Sequence, residues 1–160
     1  MNIKKAVPIA AIIVILLVFL LTREEEVTLR IVNGDDVKTI KGEYIYSFED
    51  SVTFPAVIRS SGEKPVETEY KGIELEKLFS ALGIDISSAE RITFNASDGY
   101  RVILKVEEIN EPNNVYLTYE RDGKPMKSKK RGGDGPLRLV IRRDPFSERW
   151  IKHVEEIIIE

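Results

Sequence analysis

The 160-residue sequence predicts an α+β domain, mostly short β-strands with few helices, preceded by one N-terminal transmembrane helix. Three observations carry that reading. An unbroken apolar run covers residues 6–21 and stands apart from a charged body. The body then breaks into short alternating or apolar segments punctuated by Asn-Gly, Asp-Gly and isolated glycines, the mark of strands and tight turns. A single later segment carries apolar residues at helical spacing.

Lys4 and Lys5 precede the apolar run, which at 1.5 Å per residue spans about 24 Å, somewhat short of the roughly 30 Å bilayer core but within reach of thinning and snorkelling flanks. A cleaved signal peptide is the competing reading, but the run ends at Thr22-Arg23-Glu24 without a small-x-small cleavage site, so residues 1–25 read as an uncleaved anchor. The two lysines place the N-terminus in the cytoplasm and residues 26–160 outside it, as one domain.

Residues 27–32 alternate and meet Asn33-Gly34, giving a strand and turn. Residues 37–40 and 43–46 read as further strands around Gly42. Ser47, with Asp50 three positions on, fits an N-cap opening a single helical turn before Pro55 interrupts. Residues 56–59 form a short strand and 60–65 a loop. The clearest helix covers 73–82: Leu75, Leu78, Phe79 and Leu82 share one face, and Gly83 takes the C-terminal cap. Residues 91–94 and 100–104 flank Asn95-Ala-Ser-Asp-Gly99 as a hairpin, and 106–109 read as a helical turn. Residues 115–120 form a strand ending in the Asp122-Gly123 turn, 137–141 an apolar strand containing Arg138, and the chain closes on a strand from about Val154.

Charge is unevenly distributed. Residues 23–120 carry a net of −9, residues 121–143 a net of +7 and residues 144–160 a net of −3. A local positive stripe on an acidic body points to a small anion and argues against nucleic acid. There is no cysteine, which excludes disulfides and any thiolate metal site, and the single histidine, His153, excludes a multi-histidine centre.

Four pieces in order resemble the molybdopterin-binding domain of the sulfite oxidase family. They are Tyr70-Lys-Gly72-Ile-Glu-Leu75 followed by Leu82-Gly83; Asp98-Gly99-Tyr100; the stretch from Val115 through Tyr119 and Asp122-Gly123 to Met126; and Gly135-Pro136-Leu137-Arg138 followed by Trp150-Ile151-Lys152. The resemblance implies that family's fold and a molybdopterin cofactor contacted by Arg138 and Lys152. It departs from the family in two places. The expected thiolate near residues 57–62 is absent, with Arg59-Ser60-Ser61 standing there, and the usual histidine is replaced within Gly132-Gly133-Asp134-Gly135. Sulfur-ligated molybdenum is therefore chemically implausible.

The residues themselves offer two readings of Arg138. It clamps a phosphate or pterin group through its guanidinium, or it shares a solvated strand face with Val140 and Arg142. Lys124, Lys127, Lys129, Lys130 and Arg131, followed by Gly132 and Gly133, read as an anion cradle, as a contact for anionic lipid headgroups, or as a solvated loop. His153 reads as a surface or edge residue, and Asn95-Ala96-Ser97 is a glycosylation sequon. The expectation is a membrane-tethered extracytoplasmic module that binds a small anion or an envelope protein. The alternative is a molybdopterin-dependent oxidoreductase whose cofactor is held without a cysteine.

Overall fold

Two-residue alternation, broken by one bulge at the start of the final strand, builds the first sheet. The computed structural model describes residues 26–160, so the expected anchor over residues 1–25 lies outside the described residues. Among the described residues no helix is long and apolar enough to cross a membrane. Strands β1 (Thr28–Asn33) and β2 (Asp36–Lys41) form a hairpin through Gly34, and β5 (Arg91–Ala96) and β6 (Arg101–Lys105) form a second. Strand β10 (Val154–Ile159) inserts between them, parallel to β1 and antiparallel to β5, giving the order β2-β1-β10-β5-β6. Leu29, Ile31, Ile92, Phe94, Leu104, Ile157 and Ile159 point inward. The outward residues form a polar ladder across four strands. Arg30 pairs with Glu156, Asn95 Nδ2 donates to Glu156 Oε2 at 2.6 Å, and Arg101 Nε donates to Asn95 Oδ1 at 2.7 Å. The sequon asparagine thus sits inside a strand with its amide engaged.

The second sheet carries β3 (Val52–Ile58), β4 (Val66–Glu74), β7 (Val115–Arg121) and the two-residue β8 (Lys124–Pro125), with β9 (Arg138–Ile141) also pairing with β7. Both sheets feed one apolar core. Helix α2 (Leu75–Ala81) packs Leu75, Leu78 and Phe79 into it and ends at Gly83, whose φ of 65° fits the expected cap.

Several expectations need correction. Residues 43–46 are not a strand: Gly42–Tyr46 forms the short helix α1, which drives Ile45 into the core. Gly42 sits so close to Val27 that a Cβ there would lie 2.8 Å from the Val27 Cβ. Ser47 ends that helix and opens none; its N–H and its hydroxyl both donate to the Glu43 carbonyl. Pro55 does not interrupt β3, because β3 is an edge strand whose outer side needs no ladder donor. Ile73 and Glu74 belong to β4, so the helix starts two residues later than its apolar period implies. The helical turn expected at 106–109 is present, as helix α3 (Val106–Asn110). His153 is buried at a φ of 56°.

Candidate anion-binding site

Tyr70, fully buried at the centre of β4, organises the site. Its neighbours arrive from three strands and one loop. In the pairing of β4 with β7, Lys71 faces Glu120 but Gly72 faces Thr118, which leaves Tyr119 as an extra residue. Such a bulge moves every later side chain to the other face. It brings Arg121 onto the face that carries Tyr70, and the contacts agree: Arg121 lies 5.9 Å from the Tyr70 ring centre and its Nε donates to Thr68 Oγ1 at 2.9 Å. Gly72 is what lets the two strands close here, because a Cβ would meet the Leu117 carbonyl oxygen at 2.4 Å.

Arg138 enters from β9. All four residues of β9 are buried, so the solvated-face reading of Arg138 fails. The reason lies on the strand's free side, where the 151–154 segment runs alongside. Leu139 N–H donates to the Ile151 carbonyl, Val154 N–H donates to the Leu137 carbonyl, and Arg138 bridges Lys152. That bridge sets Arg138 and Lys152 side by side. Arg138 then lies over the Tyr70 ring at 5.7 Å, and Trp150 meets the same ring edge-on at 6.3 Å.

Three cations converge on Asp134. Arg138 Nη1 donates to Asp134 Oδ2 at 3.0 Å, Lys152 Nζ lies 2.7 Å from Oδ1, and Arg121 Nη1 lies 3.6 Å from Oδ2. Burial alone would push the Asp134 carboxyl up. The Lys152 hydrogen bond and the charges of Arg138, Lys152 and Arg121 outweigh it and hold the group below its ordinary value. The Asp134 backbone is fixed as well, its carbonyl accepting from His153 N–H at 3.2 Å.

Gly132 and Gly133 shape this loop without offering their amides to a ligand. Gly132 N–H donates to the Lys129 carbonyl and Gly133 N–H to the Ser128 carbonyl. Lys129–Arg131 form an exposed 3-10 turn, reversed by Gly132 at a φ of 70°. The structure therefore brings Arg138 and Lys152 to one point and leaves the two glycines behind it. Arg121 and Asp134 escaped the sequence reading as site residues. The bulge that aims Arg121 is set by register, which no local pattern encodes.

Among the described residues, two buried polar atoms at the site have no partner, Arg138 Nε and the Tyr70 hydroxyl. A third, the Tyr119 hydroxyl, is also unpartnered. Burial pushes the Tyr70 phenol above its ordinary value, against the opposing charges of Arg138 and Arg121. Leaving a buried hydroxyl unsatisfied costs about 1–3 kcal/mol. Tyr70→Phe is accordingly expected to raise the stability of the unliganded protein by about 1 kcal/mol, seen as a higher Tm in calorimetry.

Beside the cluster lies a cleft of about 660 Å³ between β3, β4 and the 142–150 loop. Thr68, which also bonds Arg121, is on its wall with Ala56, Val57, Arg59, Arg142 and Trp150, and the carboxylates of Glu67, Glu69, Asp122 and Asp144 line it too. Val57 and Arg59 occupy the stretch where a thiolate was expected by resemblance. The residues present do not fit a thiolate-held molybdenum: the chain has no cysteine, the cleft carries four carboxylates, and the two expected cofactor cations hold Asp134. Among the described residues no group of three His, Cys, Asp or Glu side chains is placed to hold a metal ion.

A family model described as the oxidoreductase molybdopterin binding domain matches residues 45–160. Among solved structures, the crystal structure of the sulfane dehydrogenase SoxCD from Paracoccus pantotrophus matches with a TM-score of 0.65 at 18% sequence identity. The match covers 82% of this chain and 37% of that one, so the chain spans little more than a third of that protein's length and the likeness is one of fold. No curated protein matches the chain.

Proposed function

Because the chain belongs to the oxidoreductase molybdopterin-binding domain family, we propose that it is a non-catalytic member of it. In this reading it is a membrane-tethered domain outside the cytoplasm that binds a small anion, or an anionic segment of an envelope protein, at Arg138 and Lys152. The observation that carries the reading is the convergence of Arg121, Arg138 and Lys152 on one part-exposed carboxylate, with a donor of the buried guanidinium still unused. Guanidinium groups match planar and tetrahedral oxyanions through paired donors, and burial strengthens each bond. The tether rests on the apolar run over 6–21 and the two lysines before it. The absent thiolate favours binding over oxidoreductase chemistry, because the chain has no cysteine to complete the coordination of a pterin-held molybdenum.

Two measurements on the full-length chain test this. Lys152 is half exposed, so Lys152→Ala leaves the buried Arg138 in place. It is expected to weaken phosphate binding roughly ten-fold, about 1.5 kcal/mol for a charged hydrogen bond, in a calorimetric titration. An unchanged affinity would remove Lys152 from the site. In a host that makes molybdopterin, the folded protein is expected to lack stoichiometric molybdenum and pterin. Recovery of both would overturn the non-catalytic reading in favour of an oxidoreductase.

A further inference from the structure

We propose that Asp134 is a displaceable internal ligand: its carboxylate fills the anion position between Arg138 and Lys152, and an external oxyanion binds by swinging it out. This rests on the reading of that groove as an anion site and adds the residue that controls entry.

Asp134 satisfies the cluster only in part. Of the Arg138 fork, Nη1 reaches Oδ2 at 3.0 Å while Nε, buried on a side chain only 5% exposed, has no partner. The Tyr70 hydroxyl of the same buried patch is also without one. Held on its own backbone, the carboxylate meets Arg138 through Oδ2 and Nη1 alone while Lys152 occupies Oδ1 at 2.7 Å. A free oxyanion with three or four oxygens meets no such constraint. It can take the paired donors of Arg138 and the Lys152 ammonium together. Charge favours the exchange. Arg121, Arg138 and Lys152 face Asp134 and Asp122, the latter 3.6 Å from Arg121 Nε, an excess of one positive charge that becomes two once Asp134 leaves.

The motion required is small. The Asp134 carbonyl stays bonded to His153 N–H, and Gly135 beside it is locked by close contact with the His153 backbone. The loop therefore stays in place, and rotation about the Asp134 side-chain bonds is sufficient. The Asp134 side chain is 30% exposed, so it can turn into water.

The experiment is titration of inorganic phosphate into the full chain and its Asp134→Asn variant, read by calorimetry. The variant is expected to bind at least ten-fold more tightly. Equal affinity in both overturns the internal-ligand proposal and leaves the anion site standing; binding to neither overturns the anion site as well. A second readout uses the unmodified chain, so it holds even where the variant folds poorly. In a phosphate titration followed by NMR, the Asp134 carboxyl carbon is expected to shift in step with the Arg138 Nε–H resonance. An Asp134 signal that stays fixed while Arg138 responds overturns displacement.

Discussion

Gly135→Ala is expected to unfold about 3 kcal/mol more readily than the parent chain, a fall of roughly 1.5 M in the urea midpoint at a typical slope. Two costs combine. Gly135 has a φ of 89°, where an L side chain is strained by about 1–2 kcal/mol. Its Cβ would also lie 2.6 Å from His153 Cα and 2.7 Å from His153 N, which are backbone atoms unable to give way. Gly99 separates the two terms. It has nearly the same φ, 87°, yet nothing lies within 4 Å of an added Cβ. Gly99→Ala should show the conformational cost alone, about 1–2 kcal/mol. If the two variants lose the same stability, the close packing of the Asp134 loop on His153 is wrong.

Arg138→Met should cost about 2 kcal/mol in the same titration, less than the 3–5 kcal/mol typical of a buried pair broken on one side. The surviving charge decides the difference. Asp134 keeps Lys152 and Arg121 and part of its hydration, so it is not stranded. The methionine regains apolar packing in a strand where every residue is buried, and it removes the unpartnered Nε. Combining it with Asp134→Asn should cost less than the sum of the two single changes, with a coupling of about 1–2 kcal/mol. Simple additivity would mean that Arg138 and Asp134 do not interact. In either background the loss of Arg138 should abolish measurable phosphate binding.

How much of this was legible in the sequence differs element by element. The hairpins at Asn33-Gly34, Asp98-Gly99 and Asp122-Gly123 were, because turn chemistry acts locally. The fold was carried by ordered motifs, and Arg138 and Lys152 do meet. Strand β4, the longest, went unread. Its outward positions hold Glu67, Glu69 and Lys71, and its inward ones hold Thr68, Tyr70 and Gly72, an alternation with few aliphatic residues to mark it. Helix α1 was misread for a related reason: Glu-Tyr-Ile-Tyr has strong strand propensity, and burial of Ile45 against the core overrides it. Asp134 stood in the sequence only within Gly132-Gly133-Asp134-Gly135, where the resembled family usually has a histidine. What holds the stretch is backbone contact from two sides, Gly133 and Gly135 bonding Ser128 and Lys127, and Asp134 bonding His153.

The place of β10 has a consequence for how the chain comes to be folded. Residues 154–159 lie in the middle of the first sheet, and Arg30 of β1 pairs in register with Glu156. During synthesis, β1 therefore waits more than a hundred residues for its inner neighbour. Both it and β5 present open edges to other nascent chains until Ile159 has been made. Closing so long a loop is slow, so the assembly of this sheet is a late event that a holdase chaperone is well placed to protect.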